Sequence, residues 1–219
     1  MEHLPFVIIS GIICGILGAI FVWVNVAMTK FRMKVLDTKL KKVIEAIIVV
    51  IVTATIIFVL PYAADCIVND DLPVDLKVIT FTCPDGYFNK LATLLWQTEG
   101  GVIKVLFSED ITIEWYFLII FFLVWFILTM LTYGTAVPAG LFFPGILMGC
   151  ALGLLLGDLW NTFLASIPPT TYAIACASGI LCGYSRLSLS LTILVIETTQ
   201  NIALFLPVLL NTLAALWIG

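Results

Sequence analysis

The sequence predicts an all-α, polytopic membrane protein with broken and re-entrant helices. Of the 219 residues, 62% are hydrophobic and 11% are charged, and the mean hydropathy is +1.18. Soluble domains carry about a quarter charged residues, so this composition argues against a soluble enzyme or a nucleic-acid-binding protein. The early apolar runs are long enough to cross a bilayer, whereas the later ones are short and interrupted by glycine, proline and serine.

Two spanning helices are predicted first, at residues 4–29 and 43–62. A helix rises about 1.5 Å per residue, so such runs cross roughly 30 Å of hydrocarbon. Small residues recur along one face of the first run, where another helix can approach closely: Gly11, Gly15 and Gly18. Six of the ten basic residues are predicted to form one short loop between the runs: Lys30, Arg32, Lys34, Lys39, Lys41 and Lys42. The positive-inside rule places this loop in the cytosol.

A polar segment at residues 65–110 is expected on the opposite, extracytoplasmic side of the membrane. It contains Cys66 and Cys83, which an oxidising compartment allows to pair. Both a disulfide and two free thiols are compatible with these positions. Within this loop, residues 91–107 are amphipathic and too short to span, which favours a single interfacial or half-penetrating helix.

The apolar runs become shorter after one further predicted span at residues 115–130. The later pieces are marginal or too short to cross as straight, perpendicular helices; they lie at residues 140–156, 172–183, 189–199 and 203–217. Short hydrophobic segments interrupted by glycine or proline mark the binding sites of transporters. A metal site is not expected, because the cysteines form no CxxC pair and the single histidine is terminal.

The stretch TYGTAVPAGLFFPGILMGCALG breaks a helix and begins another inside the apolar region. Pro138 ends the preceding structure, and Gly140 permits a sharp turn. Proline is tolerated in the first helical turn, so Pro144 predicts a helix that begins near Leu141 or Phe142. The first N–H groups of that helix have no intrahelical acceptor and lie at the positive end of its dipole, which favours an anion. From these residues alone, a packing kink remains the alternative.

Three sequence blocks resemble the CLC family of voltage-gated chloride channels and anion/proton exchangers. GLFFP resembles the GxFxP signature of that family, and GYSRLSLSLTILVIETTQNIALFLP resembles its penultimate helices. CPDGYFNKLATLLWQTEGGVIKVLFS resembles the extracytoplasmic loop of the lysosomal and plant-vacuolar branch, and the N-terminal run resembles the helix that begins the second structural half. Residues 1–219 are therefore expected to form a partial CLC transmembrane domain, the C-terminal half of an inverted-repeat fold. In the helix that follows the signature, the family usually has an arginine after a glycine; here Gly153 is followed by Leu154.

The resemblance implies an anion site in which the main-chain amides of the signature hold the ion. Carried over by position, the ligands are the N–H groups of Leu141 and Phe142, within a turn shaped by its neighbours. The complete predicted site is Gly140, Leu141, Phe142, Phe143 and Pro144.

Three polar residues of the second block match the family pattern: Arg186, Glu197 and Asn201. An acid within an apolar run is a candidate functional residue. In the family, however, the glutamate at this position does not handle protons, so a structural hydrogen-bonding role is expected for Glu197. Arg186 is expected to anchor a loop at an interface or to pair with an acid.

The resemblance also implies a function and a set of partners. The expected activity is chloride or nitrate transport coupled to protons, in a vacuolar, lysosomal or endosomal membrane, with the plasma membrane as the alternative location. The first-half motifs of the family, including its gating glutamate, are not found here, so the missing N-terminal half of the transporter is the expected partner. Either this chain is a fragment of a longer protein, or a separate chain supplies that half. A homodimer through residues 189–217 is also expected. The alternatives are a passive chloride channel and a non-transporting half-length subunit or regulator; no enzymatic activity, cofactor or nucleic-acid partner is expected.

Overall fold

The computed structural model describes residues 4–68, 78–84, 86–107, 113–163, 168–199 and 201–219. Within these ranges the chain forms nine α-helices, a two-stranded antiparallel sheet and two short 3-10 turns, which confirms the all-α class. The helices are α1 (Leu4–Val35), α2 (Lys39–Val59), α3 (Lys90–Trp96), α4 (Glu99–Phe107), α5 (Trp115–Thr132), α6 (Phe142–Phe163), α7 (Pro169–Ser185), α8 (Leu189–Thr199) and α9 (Phe205–Ile218). The strands are β1 (Cys66–Val68) and β2 (Tyr87–Asn89), and the 3-10 turns are Leu60–Ala63 and Ile202–Leu204.

Four of the described helices are long and apolar enough to cross a membrane: α1, α2 with the turn after it, α5 and α6. The prediction of a short piece at residues 140–156 is therefore wrong. Asp158 and the polar residues after it continue α6 to 22 residues, a length of about 33 Å at about 1.5 Å per residue. Helices α8 and α9 are apolar and shorter, as predicted.

Helix α7 lies at the centre of the bundle and packs against α1, α6 and α9. The contact with α6 is made through backbone, because α6 presents glycines to it. A Cβ added at Gly149 would overlap the backbone of Ala177, and one added at Gly153 would overlap Tyr172 and Ala173. Without a strong hydrophobic drive between helices in lipid, such close packing stabilises the bundle.

The glycine face of α1 lies against α9 and α7, as predicted. A Cβ at Gly11 would lie 2.6 Å from the Asn211 carbonyl oxygen, so the two helices leave no room for a side chain. The Asn211 side chain, fully buried on α9, donates to the Val7 carbonyl and to the Ser10 hydroxyl of α1, each at 3.1 Å. These buried hydrogen bonds join the two ends of the chain.

The predicted basic loop at residues 30–42 is mostly helix, so that prediction is wrong. Helix α1 continues to Val35 and α2 starts at Lys39, which leaves residues 36–38 as the connection. Lysine and arginine are good helix formers, and a cluster of them therefore does not end a helix. A cluster of basic residues therefore does not by itself predict a loop.

The segment at residues 91–107 forms two helices, not the single interfacial helix that was predicted. Asn89 caps α3 by accepting a hydrogen bond from the Ala92 N–H at 2.9 Å, and a new helix begins after Thr98. Helix α3 is almost wholly buried, and α4 packs against α6. The apolar residues of this segment therefore face the protein core. The predicted loop at residues 65–110 also includes residues 69–77, 85 and 108–110, which lie outside the described residues.

A disulfide joins Cys66 and Cys83, whose Cα atoms lie 5.8 Å apart. It lies beside the small sheet, in which Cys66 is paired with Asn89. The side chain of Asn89 in turn donates to the carbonyls of Pro61 and Ala64. Disulfide, sheet and cap thus hold the end of α2 to the start of α3.

We expect Cys83→Ser to lower the free energy of unfolding by about 2 to 3 kcal/mol, because a loop with a separation of 17 residues is no longer closed. Thermal unfolding of the purified protein with and without reductant measures the effect. Cys150→Ser, which changes a buried free thiol, is the control for reductant sensitivity. If reductant destabilises the Cys83→Ser variant as much as the wild type, the assignment is wrong.

Lys90 and Glu114 form an ion pair, Nζ to Oε1 2.8 Å, where α3 meets the start of α5. Partial desolvation raises the pKa of Glu114, but the hydrogen bond and charge of Lys90 outweigh it and hold that pKa below its usual value. A carboxylate with a lowered folded-state pKa stabilises the protein above its unfolded-state pKa. This contribution is lost as the pH falls through the folded-state pKa.

We therefore expect Glu114→Gln to destabilise the protein at neutral pH by an amount that stays constant down to about pH 5. The difference from the wild type should begin to shrink near about pH 4.3, the pKa of an unfolded glutamate, and should disappear only once the pH is below the lowered folded-state pKa. Melting temperatures of both proteins across this range measure it. A difference that grows on acidification would contradict the assignment.

Candidate anion site at the start of α6

The candidate site is the turn in which α6 begins, and the predicted start near Leu141 or Phe142 is confirmed. The first hydrogen bond of the helix runs from the Gly145 N–H to the Leu141 carbonyl, at 3.1 Å. The N–H groups of Phe142 and Phe143 have no carbonyl acceptor within the helix, because no earlier helical turn exists. Pro144 has no N–H. The break thus presents main-chain donors at the positive end of a long helix dipole.

All five signature residues lie together at the surface of the chain. Gly140 is exposed, Leu141 and Pro144 are partly buried, and the side chains of Phe142 and Phe143 are 39% and 48% exposed. The two phenyl rings meet edge to face, with centroids 5.8 Å apart. The turn is therefore exposed at the surface of this chain.

A small cavity of about 160 Å³ lies behind the turn. Gly140, Leu141 and Pro144 form one wall, and Thr53 of α2 and Trp125 of α5 contribute to the others. Most of its lining is apolar. The turn is therefore backed by packed helices on one side and open on the other.

Tyr184, in the last turn of α7, contacts the turn directly. Its hydroxyl donates to the Leu141 carbonyl at 2.7 Å. The absence of a side chain at Gly145 makes room for it, because a Cβ there would overlap the Tyr184 oxygen. Sequence reasoning missed this residue; the available signal was an aromatic residue at the end of the stretch ACASGILCGYS, in which most residues are small.

Arg32 anchors the segment that leads into the turn. Its guanidinium donates to the carbonyls of Leu131 and Tyr133 at the end of α5, at 2.5 and 2.8 Å, and it is paired with Glu45 of α2 at 2.6 Å. A cation at a helix C-terminus satisfies carbonyls that have no intrahelical donor. In the sequence Arg32 is one of six basic residues in a predicted loop, and nothing there distinguishes it from the others.

Two of the three polar residues of the second predicted block, Arg186 and Asn201, form hydrogen bonds away from the turn. Arg186, in left-handed backbone conformation (φ 61°), donates to the carbonyls of Leu216 and Gly219 at the end of α9. Asn201 accepts from the Ala203 N–H and starts the turn before α9. Glu197 lies on the exposed side of α8.

Comparison with known proteins places the chain in one family. The family model described as voltage gated chloride channel matches residues 1–219. H(+)/Cl(-) exchange transporter 7 of Rattus norvegicus is 34% identical over 224 residues, which cover 100% of this chain and 28% of that protein. Chloride channel protein CLC-b of Arabidopsis thaliana is 33% identical over 213 residues, 92% of this chain and 27% of that protein.

Solved structures show the same fold. A eukaryotic CLC transporter superposes with a TM-score of 0.66 at 23% identity, over 100% of this chain and 33% of that one. A slow cyanobacterial Cl⁻/H⁺ antiporter superposes with a TM-score of 0.69 at 20% identity, over 100% of this chain and 43% of that one. The chain spans less than a third of the length of the curated relatives described above. It belongs to the voltage-gated chloride channel (CLC) family, and its helices form part of the CLC transporter fold.

Proposed function

We propose that this chain forms one wall of the anion pathway of a CLC transporter, and that the N–H groups of Leu141 and Phe142 bind chloride or nitrate. One observation carries the proposal: α6 begins at an exposed turn whose first amides have no intrahelical acceptor. Such amides bind an anion without a cationic side chain. Conduction requires binding weak enough for the ion to leave, and backbone dipoles bind more weakly than a buried lysine.

Proton-coupled exchange is the mode that we propose for the complete transporter. A relative named as an H(+)/Cl(-) exchanger covers the whole chain at 34% identity, and this supports coupling. A passive chloride channel is the second candidate, because Chloride channel protein A of Dictyostelium discoideum also covers the whole chain, at 29% identity. Reversal potentials of the complete transporter under a pH gradient separate the two. The reversal potential of an exchanger shifts with the pH gradient, and that of a channel does not.

The anion site has a direct structural test. A map of the complete transporter in bromide is expected to show density within hydrogen-bond distance of the Leu141 and Phe142 nitrogens. Density that fills other sites at high occupancy but leaves this turn empty would overturn the proposal.

The complete site needs a second wall, which we propose comes from the N-terminal half of a CLC transporter. The open side of the turn supports this. Helix α2 supports it too: its residues 39–59 are all described and none of them is buried, so its surface is free for a partner to cover. Liposomes that contain this chain alone should therefore show no anion flux. Robust flux from this chain alone would contradict the need for a partner. If a CLC transporter shows normal anion flux when this chain is left out, the regulator alternative is favoured.

We also propose that the transporter is a homodimer through residues 189–217 in an endomembrane. Large apolar side chains project from α8 and α9 in this chain: Ile193 is 53%, Leu206 50% and Trp217 85% exposed. Crosslinking between introduced cysteines at Ile193 is expected to link two copies in native membranes. A fluorescent fusion is expected to colocalise with a lysosomal or vacuolar marker. Staining confined to the plasma membrane would contradict the endomembrane location.

A further inference from the structure

The Leu141 carbonyl accepts two hydrogen bonds, one more than the helix itself supplies. The Gly145 N–H donates to it at 3.1 Å and closes the first turn of α6. The Tyr184 hydroxyl donates to the same oxygen at 2.7 Å from the neighbouring helix α7. A carbonyl oxygen has two lone pairs, so both bonds are accommodated.

The direction of this carbonyl determines the direction of one amide N–H. The Leu141 C=O and the Phe142 N–H belong to the same peptide unit, which is planar and trans. Holding the oxygen toward Tyr184 therefore holds the Phe142 hydrogen toward the opposite side. A hydrogen bond to the carbonyl also polarises the amide and makes its N–H a stronger donor.

The contact is held by packing on both sides. The ring of Tyr184 packs against that of Phe21 of α1, with centroids 5.3 Å apart. Gly145 leaves the space that the hydroxyl occupies. The phenolic proton is donated to Leu141, so Tyr184 acts on an anion through the peptide unit and not as a ligand.

We infer that Tyr184 is a positioning residue, which orients and polarises the Phe142 N–H for anion binding. The inference rests on the proposed function, because it requires that this amide binds the ion.

The test compares Tyr184→Phe with Tyr133→Phe in the complete transporter. Tyr184→Phe removes only the hydroxyl and keeps the ring against Phe21. Tyr133→Phe is the matched control, since Tyr133 also packs near Phe21, with ring centroids 6.5 Å apart, and its change leaves the Leu141 bond in place. Chloride affinity by titration calorimetry, bromide occupancy and melting temperature are measured for all three proteins.

We expect Tyr184→Phe to weaken chloride binding about fivefold, the equivalent of one ordinary hydrogen bond. Its melting temperature should stay close to that of Tyr133→Phe, and the control should bind chloride as the wild type does. If Tyr184→Phe binds chloride with wild-type affinity while bromide occupies the Leu141–Phe142 amides, the inference fails and the proposed function stands. If wild-type bromide density is absent from these amides, the proposed function fails, and this inference fails with it. A melting temperature that falls while affinity is unchanged would show a purely structural role.

Discussion

Arg32→Met is expected to destabilise the protein by about 3 to 5 kcal/mol, the typical cost of removing one partner from a buried ion pair. The change leaves the Glu45 carboxylate, 18% exposed in its side chain, without its cation. It also removes both donors from the Leu131 and Tyr133 carbonyls at the end of α5. Thermal and chemical unfolding of the purified protein in detergent measure the loss.

Lys34→Met is the matched control, because it removes an exposed cation from the last turn of the same helix. Exposed substitutions of this kind change stability by about 0.5 kcal/mol or less. The double variant Arg32→Met with Glu45→Met should lose less than the sum of the single changes, since the partners interact directly. Equal losses for Arg32→Met and Lys34→Met would show that the buried network contributes nothing.

Gly149→Ala is expected to cost about 3 kcal/mol and to reduce the yield of monodisperse protein sharply. The added methyl group would overlap the Ala177 Cα and the Cys176 carbonyl on α7. Because both neighbours are main-chain atoms, neither can move away by a change of rotamer, and α6 must separate from α7. Size-exclusion profiles and melting temperatures of the detergent-solubilised protein measure the effect.

Gly100→Ala provides the comparison, since a Cβ at this exposed position of α4 meets nothing within 4 Å. Replacing a helical glycine by alanine without a clash should stabilise the protein by up to about 1 kcal/mol. Opposite signs for the two variants are therefore expected. A Gly149→Ala protein as stable as the wild type would show that the two helices have room to separate.

Sequence reasoning predicted the elements that local chemistry determines. The start of α6 followed from Gly140 and Pro144, and the bounds of α8 agree with the predicted residues 189–199. It failed where helix propensity and polarity disagree. Apolarity ends near Gly157, yet α6 continues to Phe163, and the lysines after Thr29 extend α1 rather than ending it.

Contacts between distant residues could not be predicted from a single sequence. Tyr184 and Leu141 lie 43 residues apart, and Arg32 lies 101 residues from Tyr133. Neither pair has a periodic or motif signature, because each depends on how α1, α5, α6 and α7 are arranged in space. The candidate turn was therefore predictable, whereas the side chains that hold it were not.

The hydrogen bond from Asn211 to Val7 joins residues that are 204 positions apart. At a synthesis rate of about 5 to 20 residues per second, the ribosome needs roughly 10 to 40 seconds to add that length. Throughout this interval the nascent α1 sits in the membrane with Ser10 and its glycine face uncovered by α9. Among the described helices α9 is made last and covers this face, so a translation product that stalls before α9 would leave the glycine face of α1 exposed.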